Sequence, residues 1–290
     1  MPEKIIKIAT LCCCYNRISK TTLFLNSLLK QAVPDHCHLD FYLLDDNSPD
    51  MTGARVKEMF PQVNVVHGTG SLFWAGGMRT LWAEVLRRDE YDFYLLLNDD
   101  VVLSADALER LLAAYSQAKS GGNILLGTVL DPKSGKITYG GRKIKNFITG
   151  STFMQTPDAE RLKICEIGNA NIMLVDRATV NKIGILTDIY THGFADFDYT
   201  YTAVKNGLQV WVAPGYYGHC ENDHGVSWLS GKVPLKKRIE HLYSPKGLAF
   251  REYRTFINRH FSFMLPAAYF KLWLKTLFPF IYDSFKKEQV

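Results

Sequence analysis

Short apolar runs punctuate the first hundred positions: Ile5–Cys14, Phe41–Leu44, Val63–Val66 and Phe93–Leu97. Their continuity, without polar alternation, predicts strands buried on both faces. Between them Thr21–Gln31, Thr52–Phe60 and Gly77–Arg87 carry the spacing of helices. A βαβα rhythm of this kind builds a mostly parallel sheet covered by helices, with ligands at the carboxyl ends of the strands. Further along, Ser104 is placed to cap a helix running to about Lys119. Ile124–Leu130 is another strand, and the Gly- and Lys-rich stretch Asp131–Gly150 has hairpin character. Asn171–Val175 predicts a strand, after which Asp176 caps a short helix that Gly184 ends. No internal repeat, low-complexity segment or linker precedes about residue 230.

Polar clusters fall at the predicted strand ends. Asp45-Asp46-Asn47-Ser48-Pro49-Asp50 follows the second strand. These residue types make turns for local reasons, yet one carboxylate here could also accept from the N–H of a nucleotide base. Asn98-Asp99-Asp100 ends the very apolar Tyr94–Leu97, and adjacent carboxylates in that setting repel unless a hard cation joins them. Mg²⁺ or Mn²⁺ needs only one or two protein carboxylates when diphosphate oxygens complete its shell. Gly68–Gly77 opens a helix, where glycines permit close backbone approach and a helix N-terminus favours phosphate. Its Trp74 suits a core position as well as a stacking surface.

His192–Tyr199 opens a helix ending near Gly207, and its acids equally suit a first turn that complements the helix dipole. Asp196 and Asp198, two apart, cannot share a helix face, so at most one of them points into a cleft. Gly218–His224 follows the apolar Val210–Val212; its two histidines match no zinc spacing, and a surface loop is the expectation.

Composition narrows the class. A chain of 290 residues, 47% hydrophobic, suits one or two domains with a substantial core. The six cysteines form no disulfide framework or CxxC pair, which fits a reduced, cytoplasmic setting. The N-terminal apolar run is too short for a signal peptide. Charge is unevenly placed: residues 231–290 hold twelve Lys/Arg against four Asp/Glu, a balance of +8, which leaves −3 for the rest out of the overall +5.

Taken in order, TLCCCYNR, LLDDNSPDMTG, LLLNDD, GFADFDY and the late His219 resemble the inverting family 2 glycosyltransferases. The resemblance spans roughly residues 5–225, and SLFWAGGMR resembles a branch that includes rhamnosyltransferases. It implies an α/β A-type glycosyltransferase fold, with a mostly parallel central sheet flanked by helices. The expected divisions are a catalytic domain over 1–230, with a nucleotide-sugar half about 1–103 and an acceptor half about 104–230, followed by a basic, aromatic-rich helical C-terminal extension over 231–290 that the charge and aromatic pattern marks. The implied chemistry is transfer from a nucleotide-sugar donor, such as dTDP-rhamnose or a UDP-hexose, to a glycan or lipid-linked glycan, with one Mn²⁺ or Mg²⁺. Carried over by position, Tyr15 would lie against the base and Asp46 would bind its N–H. Asp99 would contact ribose or donor sugar, Asp100 and His219 the metal, and Asp196 would be the catalytic base. The chain departs from the family pattern at Asn98, where the metal motif usually starts with Asp. It departs again at Ala195, where a Glu usually precedes the base, and at Arg79, a residue placed to contact diphosphate.

Residues 261–285 are long enough for a membrane span, but Pro266, Lys271, Lys275 and Pro279 interrupt it. The lysine pair amid Phe270, Trp273, Leu274, Leu277 and Phe278 suits a helix lying on an anionic membrane surface rather than nucleic acid. A helix packed on the catalytic domain or in a homodimer fits the same pattern. A nicotinamide oxidoreductase would need GxGxxG where CCCYNR stands, and a sugar nucleotidyltransferase a basic Gly-rich loop. A non-catalytic nucleotide- or glycan-binding protein on the same fold is the competing reading from another class.

Overall fold

The computed structural model describes residues 5–118, 122–146, 151–222 and 228–286. The N-terminal part runs β1 (Ile6–Cys14), α1 (Ile18–Leu28), β2 (Cys37–Asp45), α2 (Thr52–Met59), β3 (Val63–His67), α3 (Phe73–Arg88) and β4 (Phe93–Asn98). Then come β5 (Val102–Leu103), α4 (Ala107–Tyr115), β6 (Asn123–Leu130), β7 (Ile137–Tyr139), β8 (Gly141–Asn146), β9 (Ser151–Met154), β10 (Lys163–Cys165) and β11 (Ile167–Gly168). β12 (Ile172–Asp176), α5 (Arg177–Ile183), α6 (Ala195–Lys205) and β13 (Gln209–His219) complete the body, and α7 (Leu235–Tyr243), α8 (Phe250–His260), α9 (Leu265–Leu277) and α10 (Phe280–Lys286) form the extension.

The main sheet has the order β10-β13-β6-β12-β4-β1-β2-β3. β1 to β4 pair in parallel, as the alternating pattern predicts. β12 is antiparallel to both β4 and β6, while β6 and β13 are parallel again, so the sheet is mixed. The chain reaches β12 from β6 through short strands, without the long helical crossover that a parallel neighbour requires. An apolar run carries no mark of strand direction, so the reversal could not be read from it.

β1 shows why these strands read as unbroken apolar runs. Ile8, Cys12 and Cys14 face Phe24, Leu25 and Leu28 of α1, while Ala9, Leu11 and Cys13 face Met78, Leu81, Trp82 and Val85 of α3. Three consecutive cysteines thus alternate between two cores, and burial raises all three thiol pKa values.

Several boundaries move. α3 begins at Phe73, so Gly76 and Gly77 lie inside it. A Cβ on Gly77 would fall 2.3 Å from Cys13 Sγ: this glycine lets the helix lie close on β1. α4 starts at Ala107, whose N–H donates to the Ser104 carbonyl, so Ser104 shapes the preceding turn rather than capping the helix. Asp176 caps α5 through the Thr179 N–H at 2.7 Å, and Gly184 ends it at φ 75°. Gly218 and His219 belong to β13, not to a surface loop, because β5 pairs there. His224 of that cluster, and part of the predicted 131–150 hairpin, lie outside the described residues.

The C-terminal extension is not one interfacial helix. Pro266 sits in the first turn of α9, where a missing N–H costs nothing, and Pro279 separates α9 from α10. Phe256, Ile257, Phe261, Met264 and Ala268 join Ala75, Tyr190 and Ala195 in one core. Among the described residues no helix is long and apolar enough to cross a membrane.

Candidate active site

The turn after β2 is a hub of local hydrogen bonds. Asp45 accepts from the Ser48 hydroxyl and backbone, which curls the loop and puts Asn47 at φ 55°. Asp50 takes the Ile18 N–H at 3.1 Å and the Thr52 N–H at 3.0 Å, so one carboxylate fixes the starts of α1 and α2. The Asn16 N–H donates to Ser48 Oγ at 2.8 Å, which seats the Tyr15-Asn16-Arg17 turn beside the loop. Tyr15 is exposed at the mouth of the cleft that both segments line.

Asp46 is buried, and its oxygens accept from the N–H groups of Gly70 (2.8 Å), Leu72 (2.9 Å) and Phe73 (3.2 Å). It therefore organises the Gly-rich loop and supplies the anion at the N-terminus of α3. Gly68 is needed there because a Cβ would meet Asp46 Oδ1 at 2.6 Å. The next amides of α3, Ala75 and Gly76, donate to the Thr191 carbonyl. Trp74 lines the cleft and donates its indole N–H to Asn98 Oδ1 at 2.9 Å, which gives the Asn at that position a structural partner. Arg79 does not line the cleft; its guanidinium donates to the carbonyls of Thr187 (3.0 Å) and Tyr190 (3.4 Å) and steadies the loop before α6.

At the end of β4, Arg17 Nη1 bridges Asp99 Oδ1 and Asp100 Oδ2, each at 3.0 Å. Asp99 also accepts from Thr21 Oγ1 at 3.2 Å. Burial raises its pKa to about 6 despite the Arg17 charge beside it. The second oxygen of Asp100 faces the Cys220 thiol at 3.5 Å. His219 is exposed and does not line the cleft, because strand alternation turns Cys220, its neighbour, toward Asp100.

Asp196, in the first turn of α6, lines the same cleft. Its carboxylate accepts from the Phe197 N–H (2.8 Å) and from Asn169 Nδ2 and the Ala170 N–H (each 3.3 Å). Desolvation wins over these bonds and lifts its pKa to about 6. Ala195 is buried in the core shared with the extension, where a Glu carboxylate would lose its water, so the 169–170 segment sets the environment of Asp196 instead. His192 lines the cleft against Phe73, and burial lowers its pKa. Asp198 points away: its Oδ1 accepts from Tyr190 OH (3.0 Å) and pairs with Arg259 Nε (3.1 Å) and His260 Nε2 (2.6 Å) of α8.

The structure thus brings Tyr15, Asp46, Asp99, Asp100 and Asp196 to one cleft of about 770 Å³, while Arg79 and His219 stand outside its lining. Its walls carry four carboxylates against Arg17 and Lys246. Among the described residues no group of three or more His, Cys, Asp or Glu side chains could cage a metal. Asp100, with Asp99 beside it, fits a hard cation that takes its remaining ligands from diphosphate and water. The roles of Arg17, Cys220, Asn169, Lys246 and Glu252 were not visible in the sequence. Arg17 stood in the YNR motif, but only folding shows that it meets Asp99 and Asp100.

A family model described as glycosyl transferase family 2 matches residues 11–160. No curated protein matches the chain. Among solved structures, S. aureus TarS 1–349 is 18% identical, covering 89% of this chain and 72% of that one at a TM-score of 0.53. The same comparison covers only 44% of the longer TarS structure. GalNAc-T7 with UDP, GalNAc and Mn²⁺ is 13% identical over 83% of this chain and 48% of that one, with a TM-score of 0.59. The mannosyltransferase PcManGT from Pyrobaculum calidifontis, with GDP-Man and Mn²⁺, is 16% identical over 75% and 57%, with a TM-score of 0.50. At these identities the structural matches establish the fold, the A-type glycosyltransferase fold that the family resemblance implies, with a mixed central sheet.

Proposed function

The chain belongs to glycosyl transferase family 2, and from that premise we propose that it moves a sugar, with inversion, from a nucleoside-diphosphate donor to a hydroxyl of a glycan or lipid-linked glycan. The observation that carries the reading is the convergence of the Asp99–Asp100 pair and the pKa-raised Asp196 on one cleft. Solved neighbours on the same fold hold UDP, UDP-GlcNAc or GDP-Man, and two of them hold Mn²⁺. The motif SLFWAGGMR keeps dTDP-rhamnose beside the UDP-hexoses as a donor to test, in cell-surface polysaccharide synthesis.

In this reading Tyr15 borders the base, and Asp46, already holding the Gly-rich loop, keeps lone-pair capacity for a base N–H. Asp99 faces the ribose or donor sugar. Asp100 would hold Mn²⁺ or Mg²⁺, whose charge offsets that of the departing diphosphate. Arg17 neutralises the same two carboxylates through Asp99 Oδ1 and Asp100 Oδ2, which leaves Asp100 Oδ1 as the oxygen that would meet a cation. An acceptor hydroxyl is a weak nucleophile near neutral pH, so a base must take its proton as the new bond forms. Asp196, ionised above about pH 6 and held by Asn169 and Ala170, is that base. Arg79 acts indirectly, by positioning the loop before α6.

The test is calorimetric titration of UDP, dTDP and GDP with and without Mn²⁺. Asp46→Ala should weaken binding in both conditions, whereas Asp100→Asn should remove chiefly the Mn²⁺-dependent part. Unchanged affinity in both variants would eliminate this donor site. A protein that binds donor but supports neither transfer nor donor hydrolysis would instead be the non-catalytic binder.

We further propose that the extension rests on the cytoplasmic face of an anionic membrane, near a lipid-linked acceptor. Phe263, Phe270, Phe278 and Phe280 are exposed on it, beside a charge balance of +8 after residue 230. Lys275 is half-buried between the rings of Trp228 and Tyr282, which leaves Lys271 as the exposed lysine of α9. Paired Phe270→Ser and Phe280→Ser should abolish sedimentation with anionic vesicles. Loss of a homodimer instead would assign the face to self-association.

A further inference from the structure

The cleft's counter-charge is incomplete. Its lining holds Asp46, Asp99, Asp100 and Asp196, and a nucleoside diphosphate would add further negative charge. Of the two lining cations, Arg17 is committed to Asp99 and Asp100. The other, Lys246, is exposed and makes no ion pair among the described residues. A cation held in a cleft without a carboxylate partner is free to meet an anionic ligand.

Lys246 is also held in place. It lies in the turn between α7 and α8, where the Gly247 N–H donates to the Ser244 carbonyl at 2.9 Å and the Leu248 N–H to the His241 carbonyl at 3.0 Å. A Cβ on Gly247 would fall 2.1 Å from the His241 carbonyl oxygen, so the turn closes only around glycine. Ala249, at φ 46°, ends the turn in a left-handed conformation that packing must sustain. Just beyond it, Glu252 accepts from the N–H groups of Thr191 (3.0 Å), His192 (3.4 Å) and Gly193 (2.9 Å), the segment that leads into α6. The extension therefore grips the loop before Asp196 with one residue and presents a lysine to the cleft with another. His192 lines the same cleft, where burial first, and then the charges of Lys246 and Arg17, disfavour its protonation.

We infer that Lys246, carried by the C-terminal extension, binds the diphosphate of the donor and so makes this extension part of the active site. The inference rests on the donor reading proposed above and adds a phosphate contact to it. Its consequence is a division of labour: the N-terminal half recognises the nucleoside, and the extension supplies positive charge at the leaving group.

Full-length protein would be titrated with UDP, dTDP and GDP and with the matching nucleoside monophosphates in Mn²⁺. Lys246→Ala should weaken the tightest-bound diphosphate about tenfold, the loss expected for one charge-assisted contact. Its monophosphate should change by less than about twofold, and the salt dependence of diphosphate binding should flatten. Lys246→Arg should recover most of the affinity, and Lys246→Glu should be worse than Ala. Thermal melting should stay at the wild-type value, because the side chain is exposed. Equal losses for mono- and diphosphate, or none, would overturn the assignment to Lys246 alone. A wild-type chain that binds none of the three nucleotides would overturn the donor reading with it.

Discussion

Replacing Asp198 separates the two acids of α6. Asp198 is 3% exposed, and one of its oxygens serves three groups: the Tyr190 hydroxyl, Arg259 Nε and His260 Nε2. His260 is itself almost fully buried. Asp198→Ala would strand the tyrosine and histidine without a partner and unfasten α8 from α6. Removing one member of a buried charged network costs about 3–5 kcal/mol. Arg259 is partly exposed and finds water, which argues for about 3 rather than 5. For a chain of this length about 1 kcal/mol moves Tm by roughly 2 °C, so Asp198→Ala should lower it by about 6 °C. Asp198→Asn keeps an acceptor oxygen and loses only the charge, so it should cost about half as much. Differential scanning fluorimetry measures both, with donor affinity determined alongside. A melting temperature unchanged in Asp198→Asn, with transfer abolished, would refute the structural assignment and make Asp198 the base.

Other substitutions test neighbouring steps. Arg79→Met should lower Tm, by about 1–2 kcal/mol in stability, because two carbonyls lose their donor, while donor affinity stays unchanged. A tenfold weaker donor affinity would restore Arg79 as a diphosphate contact. Gly77→Ala should destabilise by about 1–3 kcal/mol through the clash with Cys13, visible in chemical denaturation; a neutral effect would mean that α3 sits less tightly on β1. The pH dependence of kcat/KM should rise through about pH 6 as Asp196 ionises and then level off. A profile already flat at pH 5 would rule out a base with a raised pKa.

The parallel N-terminal strands were legible in the sequence, because strands buried on both faces leave unbroken apolar runs and the Asp-rich turns mark their ends. The reversed β12 left no such mark. Gly77 illustrates a different limit: in sequence it looks like a phosphate-loop glycine, and only the Cys13 sulfur below it reveals a packing role. Arg17 and Glu252 sit far in sequence from the segments they hold, and such long-range contacts have no local signature; Lys246 reaches the cleft only through the fold of the extension. The apolar periodicity of residues 261–285 was legible, but a face that buries Met264 and Ala268 in the protein looks the same in sequence as one that meets lipid.

The most direct test of the account is Asp196→Asn, which keeps the shape of the side chain and removes its basicity. Donor affinity in Mn²⁺ and turnover with a competent acceptor should be measured on the same preparation. The account predicts donor binding within about twofold of wild type and transfer reduced about 10²-fold or more. Near-wild-type turnover would contradict it.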